Sequence, residues 1–218
     1  SEKTLLPLVD NAVAIVVRGE GVASSTMIER AKHLRVIGRT GVGYNNIDIE
    51  MATQRGIPVV FTPGANARTV AEASIALLLA ACKRIIFWDQ QLKSGNWSSR
   101  NKFSSMDMEG ATLGIIGLGN IGQELAALAQ PFRMRLLAYD PYIEHDQAAS
   151  LKVEMTTLED LLCQANYICL HAVLTDKTRG LINRKNLHLV QRGSVIVNLA
   201  RGELIEDLDI LEAALEQG

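Results

Sequence analysis

Three glycines, Gly117, Gly119 and Gly122, are spaced G-x-G-x-x-G directly after the apolar, partly β-branched run Thr112 to Ile116. From Asn120 onward the apolar residues Ile121, Leu125, Leu128 and Ala129 recur with helical spacing, and Pro131 helps to end that helix. A strand feeding a glycine turn and then a helix is the arrangement that cradles a dinucleotide. The first glycine permits the turn, the second lets the backbone approach a pyrophosphate, and the third lets helix and strand pack closely. The helix N-terminus adds unpaired N–H groups for the phosphates. A second strand, Met134 to Tyr139, ends at Asp140, about 20 residues past the glycines, where a carboxylate can bond the ribose hydroxyls of adenosine. A carboxylate at that point suits NAD and repels the extra phosphate of NADP. The same glycines also serve a bare βα turn, but strand, glycines, helix, second strand and terminal acid occur here in the required order.

Two further side chains could act at this edge. Arg201 follows the strand Ser194 to Leu199 and can hold a carboxylate with two parallel hydrogen bonds. The alternative is a salt bridge to Glu203 or Glu206. His171 ends the strand Tyr167 to Leu170, where it is either an acid–base group or a partner for a backbone or cofactor hydrogen bond. Leu199 and Ala200 share the turn with Arg201 and are placed with the cofactor. His33, His145 and His188 stand in polar segments, and no metal-ligand spacing is present.

The elements that must position these residues alternate along the chain. Ala12 to Val17, Leu34 to Gly38 and Pro58 to Phe61 read as buried parallel strands. The helices between them run from Ser25 to Ala31, capped by Ser24, and to about Gln54. Arg39 to Asp48 forms a loop in which Gly41 and Gly43 expose backbone N–H groups to a small anion; the alternative is a tight βα turn with Asn45 as helix cap. The longest helical pattern runs from Arg68 or Thr69 to about Lys93 and is apolar around most of its circumference. It reads as a bridge between two lobes or a seat for a partner subunit, and a two-fold homodimer is expected. Trp97 to Glu109 is irregular. Further helices are expected from Thr156 to Cys163, from Asn183 to Val190 and from Glu206 onward. The fold class is therefore α/β, with a substrate lobe over residues 1–67, an incomplete flavodoxin-like sheet, and a Rossmann-type doubly wound parallel sheet over residues 68–218.

The 218 residues carry 22 basic and 24 acidic side chains, a net charge of −2, with no long run of either sign and hence no footprint for nucleic acid or an anionic membrane. Ser74 to Cys82 is too short an apolar run to span a bilayer. Cys82, Cys163 and Cys169 lack C-x-x-C spacing and read as reduced core residues of a cytoplasmic protein. SEKTLLPL at the start has no signal-peptide character.

The stretches GRTGVGYNNIDIEMATQRGIPVVFTPGANARTVAE (38–72), GATLGIIGLGNIGQELA (110–126), YDPY (139–142), HAVLTDKTRGLIN (171–183) and VNLARGELIE (197–206) resemble the D-isomer-specific 2-hydroxyacid dehydrogenases, most of all the D-3-phosphoglycerate dehydrogenase branch. The resemblance implies that Val42, Gly43 and Tyr44 present N–H groups to a substrate carboxylate. It places Thr69 and Val70 beside a nicotinamide, Asn120 and Ile121 at the pyrophosphate, and Asp140 at the adenosine ribose. His171, Ala172, Val173 and Thr178 line the cofactor crevice, a non-catalytic place for His171, and Arg201 binds and orients a 2-keto acid. Val173 stands where the family usually has proline. The family's catalytic histidine and partnering glutamate are expected downstream of Gly218, and its first strand and helix upstream of Ser1. The chain is thus expected to be truncated at both ends and to lack turnover by itself. Two rival readings share the fold: an NAD-binding dimeric corepressor-like module and a formate dehydrogenase. Arg18 and Arg39 are candidates for a substrate phosphate, with a solvated surface charge as the alternative for each.

Overall fold

The computed structural model describes residues 2–101 and 105–217. The chain divides into two compact units, Ser1–Asn66 and Ala67–Gly218.

The first unit starts with the short helix α1 (Glu2–Leu5) and then alternates β1 (Ala14–Val17), α2 (Ser25–Arg30), β2 (Val36–Arg39), α3 (Ile49–Gln54) and β3 (Val59–Phe61). The strands form one parallel sheet in the order β1-β2-β3, with Ala14 opposite Val36 and Ile37 opposite Val59. Its core gathers Val17, Met27, Ile28, Leu34, Ile37, Ile47 and Ile57. The Ser24 hydroxyl caps α2 by accepting the Met27 N–H at 3.2 Å. The cap of α3 is Asp48, which accepts the Met51 N–H at 2.9 Å, and not Asn45. A carboxylate next to the first helical residue fits the helix dipole.

The second unit holds α4 (Ala67–Cys82), α5 (Ile85–Lys93), β4 (Thr112–Ile116), α6 (Asn120–Ala129), β5 (Arg135–Tyr139), α7 (His145–Ser150), β6 (Glu154–Met155), α8 (Leu158–Gln164), β7 (Tyr167–Leu170), β8 (Val195–Asn198) and α9 (Leu208–Gln217). Its parallel sheet runs β6-β5-β4-β7-β8, so the chain leaves β4 in one direction and returns to lay β7 on its other side. Ligands of such sheets bind at the carboxyl ends beside that reversal. Side chains alternate between two cores. Leu113, Ile115, Leu136, Ala138 and Cys169 face the cluster that includes Ala71 and Leu78 of α4 and Leu125 and Ala126 of α6. Ile116, Leu137, Ile168 and Leu170 face Leu158, Leu161 and Leu162 of α8. Gly114 lets α8 come close, since a Cβ there would stand 2.5 Å from Leu161 Cδ2.

Three expectations need correction. The long helix is broken at Arg84, whose φ of 51° is left-handed. The Cys82 carbonyl accepts the Met106 N–H at 3.0 Å, and Lys83 Nζ reaches Met106 O at 2.7 Å and Asp107 Oδ1 at 2.5 Å. The Met106 N–H thus takes a carbonyl that a continuous helix would use, and the Lys83 side chain ties the same segment down. Residues 183–190 hold only a 3₁₀ turn, Leu187–Leu189. There Asn186 Oδ1 accepts the Asn183 N–H, and the two side-chain amides donate to the Gly180 and Leu181 carbonyls, local bonds that compete with helix formation. Cys163 is exposed, while Cys82 and Cys169 are buried. Burial pushes the Cys169 thiol up to about 12, so it is an inert core group. The elements α7 and β6 have no counterpart in the sequence reading.

Candidate functional site

The three motif glycines meet different constraints. Gly117 has φ 95°, and a Cβ there would lie 2.5 Å from the Ala172 nitrogen, so the turn after β4 and the loop after β7 touch through it. A Cβ on Gly122 would run into the Gly117 carbonyl oxygen. At Gly119 a Cβ would meet nothing within 4 Å. Protein packing thus requires the first and third glycines but not the second, and open space remains where a ligand backbone would approach. Gly119 is the N-cap of α6 and gives it no side-chain cap. The N–H groups of Asn120 and Ile121 have no acceptor among the described residues, and the Gln123 N–H makes the first bond of the helix, to the Gly119 carbonyl at 2.9 Å. A ten-residue helix with an uncapped start beside an empty glycine surface fits a phosphate group.

Asp140 lies at the end of β5 and reaches back to the glycine turn. Its Oδ2 accepts the Leu118 N–H at 2.8 Å, and its Oδ1 accepts the Tyr142 N–H at 2.9 Å. Each oxygen keeps a lone pair for a further donor such as a ribose hydroxyl. The bond to Leu118 also fixes the carboxylate against the glycine turn, a link that the spacing alone does not reveal.

At the end of β8, the Asn198 side chain closes the turn that carries Arg201. Its Oδ1 accepts the Ala200 N–H at 3.0 Å, and its Nδ2 donates to the Arg201 carbonyl at 2.9 Å. Leu199, Ala200 and Arg201 are half-buried in this turn, and Arg201 Nη1 donates to the Ala200 carbonyl at 2.8 Å. In the loop after β7, the Thr178 hydroxyl donates to the Val173 carbonyl at 2.6 Å and accepts the Thr175 N–H at 2.7 Å. It therefore shapes the loop that carries Ala172 and the exposed Val173.

His171 Nε2 lies 3.2 Å from the hydroxyl of Ser74, a buried residue of α4, and Nδ1 is enclosed without a partner among the described residues. Burial lowers its pKa from 6.5 to about 4. A folded-state pKa below the unfolded one means that the unfolded chain binds the proton first. The contribution is present in full above pH 6.5 and is lost as pH falls toward 4, up to about 3 kcal/mol. Urea midpoints should therefore drop more steeply over that range for the wild type than for His171→Gln. Parallel slopes would show that the ring titrates normally. Thr69 and Val70 occupy the first turn of α4, and the Val70 carbonyl accepts the Ser74 hydroxyl at 3.0 Å.

Within the first unit, Val42, Gly43 and Tyr44 follow β2, and their N–H groups have no acceptor among the described residues. Arg39 holds this loop: Nε donates to the Gly43 carbonyl at 2.8 Å and Nη1 to the Val17 carbonyl at 3.2 Å. The sequence reading offered Arg39 for a phosphate, but its guanidinium shapes the loop. Tyr44 packs on Phe61 with ring centroids 5.3 Å apart. Among the described residues no group of His, Cys, Asp or Glu could hold a metal ion, and no helix is long and apolar enough to cross a membrane.

The doubly wound sheet, the glycine turn at its reversal point and the acid after β5 define a dinucleotide-binding domain. Residues 75–218 match the model of the D-isomer specific 2-hydroxyacid dehydrogenase NAD binding domain, and the chain belongs to that family. Its cofactor is NAD. The chain is 42% identical over 217 residues to a D-3-phosphoglycerate dehydrogenase of Methanocaldococcus jannaschii, covering 99% of this chain and 41% of that protein. It is 38% identical over 208 residues to a hydroxypyruvate reductase of Thermotoga maritima, covering 95% and 67%. The crystal structure of D-lactate dehydrogenase from Aquifex aeolicus, complexed with NAD and lactic acid, superposes with a TM-score of 0.89 at 28% identity, covering 97% of this chain and 63% of that one. The chain spans about two-fifths of the length of the D-3-phosphoglycerate dehydrogenases it matches.

Proposed function

We propose that the full-length protein is an NAD-dependent oxidoreductase that moves a hydride between the nicotinamide and C2 of a D-2-hydroxy or 2-keto acid. The similarity to D-3-phosphoglycerate dehydrogenases favours D-3-phosphoglycerate as that acid. The observation that carries the reading is the joint placement of an uncapped α6, an open Gly119 and a fixed Asp140 on the edge where β8 delivers Arg201. In this reading residues 68–218 hold the cofactor and residues 1–67 belong to the substrate domain. The α6 start and Gly119 hold the pyrophosphate and Asp140 the ribose, with Thr69, Val70, His171 to Val173, Thr178, Leu199 and Ala200 around the remainder.

Bound NAD supplies the hydride chemistry, and the protein supplies alignment and charge. Arg201 grips the carboxylate and polarises the adjacent carbonyl. Within the substrate domain, the open N–H groups of Val42 to Tyr44 are offered to an anionic group of the substrate. The reading gives the proton exchange to none of the described residues. His171 is unsuited to it, because its Nε2 is engaged by Ser74, its Nδ1 is enclosed and its pKa is far below neutrality.

The assembly is proposed to be a homodimer in the cytoplasm. Exposed Leu77, Ile85, Ile86 and Leu92 on α4 and α5 support the dimer, and three unpaired cysteines support the compartment. Titration of the full-length protein with both cofactors tests the assignment of Asp140. Its carboxylate should disfavour the NADP phosphate by several kcal/mol, and equal or tighter NADP binding would sink the assignment. Sedimentation of the same preparation as a monomer at micromolar concentration would remove the dimer.

A further inference from the structure

Ser74 is fully buried at 0% exposure, and the glycine motif does not call for a polar side chain there. Its hydroxyl has one proton and two neighbours, the Val70 carbonyl oxygen at 3.0 Å and His171 Nε2 at 3.2 Å. Two proton arrangements are consistent with these distances. In one, the hydroxyl donates to Val70 and accepts from Nε2–H, which leaves Nδ1 as an unused lone pair. In the other, the hydroxyl donates to Nε2, and Nδ1 must then carry a hydrogen. Because Nδ1 is enclosed with no partner among the described residues, that hydrogen would be a buried N–H without an acceptor. Orphaned buried N–H groups are rarer than under-used acceptors, so the first arrangement prevails.

We infer that Ser74 is a positioning residue of the cofactor crevice, holding His171 as its Nε2–H tautomer and thereby tying the loop after β7 to the first two turns of α4. The inference rests on the cofactor reading above. It follows from what each end of the bond carries. The His171 end continues into Ala172, whose backbone nitrogen closes on Gly117 with no room for a Cβ between them. The Ser74 end is bonded one turn back to Val70, next to Thr69. A single hydroxyl therefore joins the α4 start, the β7 loop and the glycine turn, three walls of the proposed crevice. A serine bonding back to its own i−4 carbonyl gains little for the helix itself, so the cross-link to His171 is its distinctive contribution.

The test uses full-length protein with ¹⁵N-labelled histidine. Wild type at pH 7 should show the Nε2–H tautomer for His171. Ser74→Ala should lose that fixed tautomer and bind NAD about three- to tenfold more weakly, the range expected for one net hydrogen bond. In a His171→Gln background, Ser74→Ala should add nothing further, because the effect runs through the ring. A wild-type ring that is charged or carries its proton on Nδ1 would overturn the inference. So would unchanged NAD affinity in Ser74→Ala, or an equal loss in both backgrounds, which would mark Ser74 as packing only. Absence of NAD binding by the wild type would instead overturn the cofactor reading, and the crevice role with it, while the tautomer signal would still decide the bond.

Discussion

Arg201→Lys in the full-length protein should lower kcat/KM for the 2-keto acid about 100-fold or more while NAD affinity changes little. The structure supplies the reason for so large an effect from a charge-conserving change. Asn198 holds the turn through both its amide oxygen and its amide nitrogen, so the backbone from which Arg201 projects is fixed at residues 200 and 201. Such a turn aims a planar fork, and an ammonium cannot reproduce two parallel hydrogen bonds to a carboxylate. A 100-fold loss corresponds to about 2.7 kcal/mol of transition-state stabilisation, within the range of one charge-assisted contact. The loss should appear in kcat/KM because the grip aids binding and also polarises the carbonyl. If Arg201 serves instead as a structural ion-pair partner, the variant loses thermal stability and keeps its kinetics. That outcome would also favour a binding module over an enzyme. Steady-state kinetics, NAD titration and a melting curve on one preparation separate the possibilities.

The sequence conveys the site better where one residue's chemistry suffices than where two distant residues must meet. The glycine turn, Asp140 and the turn carrying Arg201 are legible because strand, turn and helix follow one another locally and the side-chain types are restrictive. The bond from Asp140 to the Leu118 N–H spans 22 residues, and the bond between Ser74 and His171 spans 97. Nothing in local spacing encodes either contact. The break at Arg84 is hidden for the same reason, since it depends on the 106–107 segment reaching back to Cys82 and Lys83. The misread helix near Asn183 is different: its cause is local, in two asparagines that bond the backbone around them. Asparagine-rich stretches with weak apolar periodicity are better read as turns.

Alanine substitutions of the three glycines should divide into two classes, and the division tests whether the turn is a ligand site or only a fold element. Gly119→Ala introduces a methyl into open space at an ordinary φ of −72°, so folding stability should change by no more than about 0.5 kcal/mol. The same methyl stands where a pyrophosphate would approach the backbone, and NAD affinity should fall about tenfold or more, since the lost approach cannot be recovered by a flexible side chain. Gly122→Ala drives its methyl into the Gly117 carbonyl, a backbone atom that cannot yield cheaply. Gly117→Ala adds a left-handed φ of 95° to a 2.5 Å approach on the Ala172 nitrogen. Each of these two should cost about 3 kcal/mol or more in stability, whether or not NAD is present. Melting curves with and without NAD, paired with NAD titration, make the comparison direct. A Gly119→Ala variant that keeps both its stability and its NAD affinity would mean that the open space at Gly119 is not where the cofactor lies. The pyrophosphate would then have to be sought elsewhere along the carboxyl edge of the sheet.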